Sequence, residues 1–145
     1  ASDVDGIITV DYPPEECKQF TKLLKEKNID SIFLLSPTTE LDRVKLIIEQ
    51  ASGFLYYVSL KGVTGAANID IEQVKSKVGI IRELTKLPIG VGFGVRDAAT
   101  AKEVAKISDA VVVGSRMVQE IENSNKDNLI QNISKLMKEL REAVN

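Results

Sequence analysis

Five short, almost uninterrupted apolar runs rich in β-branched residues are the feature that most constrains this chain. They are Gly6–Asp11 (GIITVD), Ser31–Ser36 (SIFLLS), Phe54–Leu60 (FLYYVSL), Pro88–Gly94 (PIGVGFG) and Ala110–Ser115 (AVVVGS). None alternates apolar with polar residues, so each reads as a strand covered on both faces, the pattern of a parallel sheet. A stretch with helical spacing follows every run. The first opens at Pro13 and Pro14 with Glu15 and Glu16 in its first turn, carries Cys17, Phe20, Leu23 and Leu24 as its stripe, and stops at Asn28. The second repeats Leu41, Val44, Ile47 and Ile48. The third opens with Asp70 three residues before Gln73, a capping-box spacing, and repeats Ile71, Val74, Val78, Ile81 and Leu84. The fourth is capped by Asp97, and the last carries Leu129, Ile133, Leu136, Met137 and Leu140. A short apolar helix, Met117 to Ile121, fits between the fifth strand and the last helix.

Strict alternation of strand and helix permits an open doubly wound sheet or a (β/α)8 barrel. An open sheet of the nucleotide-binding kind carries its glycine fingerprint in the first strand-to-helix turn. Here that turn is Asp11-Tyr12-Pro13-Pro14, without glycine. A whole barrel needs eight strands and about 250 residues. The 145 residues therefore read as an α/β chain forming a partial TIM (β/α)8 barrel. It comprises five consecutive βα units with parallel strands, plus a short extra helix after the last strand. Residues 1–145 are expected to be the C-terminal part of a single barrel domain, with no linker dividing them. The opening Ala1-Ser2-Asp3-Val4-Asp5 leads straight into a strand and reads as the middle of a longer chain.

Composition narrows the chemistry. Lys and Arg number 19 against 21 Asp and Glu, so no basic footprint for nucleic acid or an anionic membrane is expected. With no His and one Cys, Cys17, the usual zinc ligand sets and the histidine-dependent triads cannot be assembled from this chain. The single cysteine suits a reducing compartment. No apolar run approaches the roughly 20 residues that span a bilayer.

In parallel α/β folds functional groups gather at the carboxyl ends of the strands. The fourth and fifth strands end in Gly92-Phe93-Gly94 and Gly114-Ser115. Glycines there let main-chain N–H groups face an anion, and the short helix beginning near Arg116 adds its positive end, so a phosphate site is expected. The alternative is that the glycines merely make tight turns. Gly65, in the long Gly62–Asn68 loop that suits a mobile lid, is a candidate for a further N–H. Phe93, between two glycines, is favoured as a ligand contact. Tyr56 is read either as a pocket wall or as core packing. Arg116 is expected to point outward from the short helix and Lys61 to be an ordinary solvated loop residue, rather than either being a phosphate ligand. Asp11 is either a rim acid or base or a helix-start residue. No second rim carboxylate pairs with it, so the binding half of a site is visible and its proton-transfer half is not.

The segments VDGIITVDYP (Val4 to Pro13), LYYVSLKGVTGA (Leu55 to Ala66), PIGVGFGV (Pro88 to Val95) and DAVVVGS (Asp109 to Ser115) resemble the tryptophan synthase alpha chain, in order and spacing. The resemblance covers essentially the whole chain but only the family barrel from its fourth strand onward. It implies retro-aldol cleavage of indole-3-glycerol phosphate to indole and glyceraldehyde 3-phosphate in tryptophan biosynthesis. The cytoplasmic complex would include a beta chain, which holds pyridoxal phosphate and receives indole through a tunnel. By the resemblance Gly65, Phe93, Gly94, Gly114 and Ser115 bind the substrate phosphate. Ile8 and Tyr56 shape the indole pocket, Thr64 is the lid-loop threonine, and Asp11 and Pro13 lie toward the beta chain. It implies no cofactor and no metal in this chain. The family's catalytic glutamate and aspartate belong on and after its second strand, a region with no counterpart here, so the 145 residues alone are expected to be inactive. Two rivals are another phosphate-binding barrel, of the sugar-phosphate isomerase or indole-glycerol-phosphate synthase type, and a non-enzymatic half-barrel module.

Overall fold

The computed structural model describes residues 3–59, 71–92 and 94–145. Strand β1 (Gly6–Ile8) is followed by α1 (Lys18–Glu26), β2 (Asp30–Leu35), α2 (Leu41–Gln50) and β3 (Leu55–Val58). Then come α3 (Ile71–Leu84), β4 (Ile89–Gly92), α4 (Ala98–Ala105), β5 (Ala110–Val112), α5 (Ser115–Glu122) and α6 (Leu129–Val144). The strands pair in parallel in the sequential order β1-β2-β3-β4-β5. Sequential parallel order with a helix after each strand is the winding of a barrel, here as a half-barrel with β1 and β5 as its edges. The expected five βα units and the extra helix are therefore present.

The core lies between the convex face of the sheet and the helices. Period-two alternation sends Phe33 and Leu35, Leu55 and Tyr57, and Ile89 and Val91 to that face. There they meet Val44, Ile47, Val74, Val78, Ile81, Ala101 and Val104. The intervening residues point into the concave face, which the barrel lumen occupies in a closed barrel. Gly90 and Gly92 stand on this face of β4, and the aromatic rings of Phe54, just before β3, and Tyr56, within it, fill the space they leave. A Cβ on Gly90 would come 3.3 Å from the Phe54 ring, and one on Gly92 would come 2.5 Å from the Tyr56 hydroxyl. Phe54 and Tyr56 thus lie across the two glycines.

Local signals explain the element ends. Asn28 stops α1 as expected: it takes the left-handed conformation, φ +56°. Its N–H donates to Lys25 O and that of Ile29 to Leu24 O, a glycine-type helix stop that asparagine tolerates. Asp97 caps α4, its carboxylate accepting from the Thr100 N–H at 2.8 Å. That bond and a second from Ala99 favour the ionised form, so the Asp97 carboxyl lies below its ordinary value. At the opposite end of the sheet, Asp109 accepts from the Ile89 N–H at 2.8 Å and pairs with Arg82 at 3.0 Å, tying β4 to β5.

Several expected boundaries move. The first strand ends at Ile8 rather than Asp11, because the chain bends and Asp11 adopts φ +57°. The first helix begins at Lys18, so Glu15 and Glu16 precede it. Pro13 and Pro14 instead head a tight turn in which Glu16 N–H donates to Pro13 O and Cys17 N–H to Pro14 O. The Cys17 thiol donates to Pro13 O at 3.1 Å, and burial together with Glu15 and Glu16 pushes its pKa up. The short helix runs longer than expected, Ser115–Glu122, and buries none of its residues. Leu41 on α2 and Met137 on α6 are exposed rather than part of their helices' buried stripes. Asp70, expected to cap the third helix, lies outside the described residues.

Candidate functional site

Strands β4 and β5 run side by side with Gly92 opposite Val112. Two residues beyond this row stand Gly94 and Gly114, so both expected anion-facing turns sit at adjacent strand tips. The end of β3 is fastened to the same place: the backbone N–H and hydroxyl of Ser59 both donate to Gly92 O, at 3.1 and 3.3 Å.

The glycines at these tips have different reasons to be glycine. Gly92 is explained by Tyr56, whose ring occupies the place of a side chain. Gly94 is explained by its backbone, φ +78°, a conformation L side chains rarely adopt. Gly114 has neither explanation. Its φ is −111° and an added Cβ would meet no heavy atom of the described residues within 4 Å. None of the described residues requires a glycine there, and room for close approach of a ligand to the backbone is what it leaves.

Gly114 is also the N-cap of α5, and it brings no side chain to cap the helix. Its carbonyl accepts from the N–H groups of Met117 and Val118, at 2.9 and 3.2 Å. Among the described residues no acceptor meets the N–H of Ser115 or Arg116, and the first turn contains no acidic side chain. Gly114 and Ser115 are exposed. Free N–H donors, an exposed hydroxyl and the positive end of the helix dipole therefore converge on an open site suited to an anion.

The other expected positions divide. Tyr56 is half-buried on the concave wall beside Gly92. Ile8, on the same face at the β1 edge, is 44% exposed. Asp11 and Pro13 line a separate cavity of about 500 Å³ beneath the β1–α1 connection, together with Val10, Tyr12, Thr39 and Arg43. None of the described candidate phosphate residues lines it. Its cation, Arg43, is engaged by Glu15 at 3.2 Å. Lys61, Thr64, Gly65 and Phe93 lie outside the described residues. Arg116, expected to point outward from the short helix, is ion-paired and partly covered. It pairs with Glu120 at 2.7 Å, with 27% and 20% of the two side chains exposed. Helical spacing i, i+4 was the signal for that pair. No group of three potential metal-ligating side chains occurs among the described residues.

The sequence profile of the family described as "Tryptophan synthase alpha chain" matches residues 1–145. The chain belongs to the tryptophan synthase alpha chain family. A tryptophan synthase alpha chain of Janthinobacterium sp. (strain Marseille) is 56% identical over 144 residues, 99% of this chain and 54% of the relative. That of Nitrosomonas europaea is 52% identical over 141 residues, 97% of this chain and 51% of the relative. The chain thus spans about half the length of the curated relatives it matches. Among solved structures, the tryptophan synthase subunit alpha of Legionella pneumophila str. Paris superposes with a TM-score of 0.82 at 33% identity. That match covers 97% of this chain and 52% of the other. Tryptophan synthase of Mycobacterium tuberculosis gives a TM-score of 0.83 at 33% identity, covering 96% and 51%. Membership in the alpha-chain family decides against the isomerase and indole-glycerol-phosphate synthase alternatives.

Proposed function

We propose that these residues form the phosphate-holding part of an alpha-chain active site. The protein they belong to would cleave indole-3-glycerol phosphate, releasing indole and glyceraldehyde 3-phosphate. The observation that carries this reading is Gly114, a glycine that the described residues leave unexplained at the open N-terminus of α5. In this reading the N–H groups of Gly94, Gly114 and Ser115 donate to the phosphate oxygens, and the Ser115 hydroxyl adds a fourth donor. Gly65 and Phe93 complete the cradle and Thr64 belongs to the lid, on the resemblance alone. Tyr56 and Ile8, on the concave wall, bound the indole ring.

The grip orients the substrate without breaking a bond. Retro-aldol cleavage needs one carboxylate to shuttle a proton to indole C3 and another to polarise the indole nitrogen. The Asp97 carboxylate, three residues beyond Gly94, is taken up as the cap of α4, and Glu120 is taken up by Arg116. Asp11, the rim carboxylate, lies instead at the cavity beneath the β1–α1 connection. The reading therefore assigns binding to these residues and proton transfer to the alpha-chain catalytic glutamate and aspartate. With Pro13, Asp11 belongs to the side facing a beta chain, and pyridoxal phosphate belongs to that partner. A cytoplasmic location suits a biosynthetic enzyme of this family. In line with it, no helix among the described residues is long and apolar enough to cross a membrane.

Titration of the 145-residue chain with indolepropanol phosphate, followed by calorimetry, tests the reading, with a cleavage assay on indole-3-glycerol phosphate beside it. Saturable binding that inorganic phosphate competes away, without turnover above background, is the expected pair of results. Turnover by the 145 residues alone would refute the division of labour, and absence of binding would refute the phosphate site.

A further inference from the structure

The Arg116–Glu120 pair sits against the ordinary preferences of a helix. Arg116 is a cation in the first turn of α5, where the dipole favours an anion. The order, cation first and carboxylate four residues on, is the weaker orientation for a helical pair. Yet the two groups meet at 2.7 Å, with 27% and 20% of their side chains exposed. On the same helix Val118 is 54% and Ile121 45% exposed, so the ion pair is better covered than its apolar neighbours. The carboxylate lies one turn toward the helix C-terminus, so the contact draws the guanidinium away from the Gly114–Ser115 end. Arg116 immediately follows Ser115, and its long side chain can reach either way.

We propose that Glu120 restrains Arg116, turning a potential phosphate ligand away so that backbone N–H groups and the Ser115 hydroxyl hold the ester without a guanidinium. The inference rests on the phosphate reading above and adds to it a residue that sets affinity. The chemistry supplies a reason. The phosphate is remote from the bond that breaks and is the same group in substrate and triose product. A cation added there binds both equally, which slows product release and gives no advantage to the transition state. Glu120 is in this sense a positioning residue, acting through Arg116 and touching no substrate.

Three variants of the chain, Glu120→Gln, Arg116→Ala and the double substitution, test this by titration with glycerol 3-phosphate at low and moderate salt. Thermal unfolding serves as the folding check, and Glu120→Ala replaces Glu120→Gln should the latter fail to fold. Release of the guanidinium is expected to tighten binding by Glu120→Gln roughly threefold to fivefold, the range of an exposed charge pair, and to make it more salt-sensitive. Arg116→Ala keeps the main-chain N–H and removes only the guanidinium, so alone it should leave affinity unchanged, and adding it to Glu120→Gln should return affinity to that of the wild type. Two results overturn the restraint alone: wild-type binding that Glu120→Gln does not tighten, or binding that Arg116→Ala weakens. No binding by the wild-type chain removes the phosphate site itself, and this inference with it.

Discussion

Replacing Gly114 by alanine separates a glycine kept for a ligand from one kept for the fold. The added methyl would meet no heavy atom of the described residues within 4 Å, at a backbone φ of −111° that alanine accepts. Stiffening the unfolded chain favours the variant by about 0.4–1 kcal/mol. Losing glycine at an N-cap opposes it by roughly 0.5–1 kcal/mol, because alanine is a poor cap. The two nearly cancel, so urea denaturation should place the variant within about 0.5 kcal/mol of the parent. Gly92→Ala is the internal control. There the methyl would lie 2.5 Å from the Tyr56 hydroxyl and 2.6 Å from its ring, in a strand buried along its length. Overpacking of that kind costs about 1–3 kcal/mol. Phosphate affinity should respond the other way at Gly114. A methyl that keeps a dianion from one or two N–H donors sacrifices charge-assisted hydrogen bonds of about 1.5–3 kcal/mol each, at least tenfold in affinity. A Gly114→Ala variant that loses more than about 2 kcal/mol of stability, or that folds normally and binds glycerol 3-phosphate as the parent does, would refute a glycine kept for a ligand.

Other perturbations follow from single contacts. Asp97→Ala removes the cap of α4 and should cost about 1 kcal/mol by denaturant titration. Because the folded Asp97 carboxyl is depressed, its contribution is present above the unfolded value and fades as pH falls through the folded one. The alanine variant should therefore show a shallower acid limb between those two points. Tyr57 is fully buried and its hydroxyl meets no partner among the described residues, while burial raises its pKa. Tyr57→Phe should thus leave the melting temperature unchanged or raise it, and a clear loss would reveal an unseen partner. Leu55→Ala, at the centre of the core, should cost about 2–5 kcal/mol in the same denaturation experiment.

Much of the architecture was legible because parallel strands covered on both faces leave continuous apolar runs. Each helix also announced its boundary chemistry where that chemistry was local. Asn28 and Asp97 act within a few residues of themselves, and both behave as read. Strand ends were less legible, because pairing with a neighbour sets them. The GIITVD run looks like one strand, but only Gly6, Ile7 and Ile8 have partners on β2 before the chain bends at Asp11. Burial on α5 and α6 was illegible for a similar reason. Val118, Ile121, Ile130 and Met137 have the spacing of a buried stripe, but β5 is an edge and no described element lies beyond it. At the site, a glycine in a sequence does not say what fills the space it leaves. Gly92 and Gly114 look alike in GFG and GS; one accommodates a tyrosine ring and the other accommodates nothing among the described residues.

Amide-resolved titration with glycerol 3-phosphate tests most directly where the anion sits. In a two-dimensional nitrogen–proton spectrum of the labelled chain, the resonances of Gly94, Gly114, Ser115 and Arg116 should shift together along one saturable curve. Those of Tyr12, Thr39 and Arg43, around the cavity beneath the β1–α1 connection, should stay in place. Shifts confined to that cavity, or no saturable shift at the β4 and β5 tips, would contradict the account.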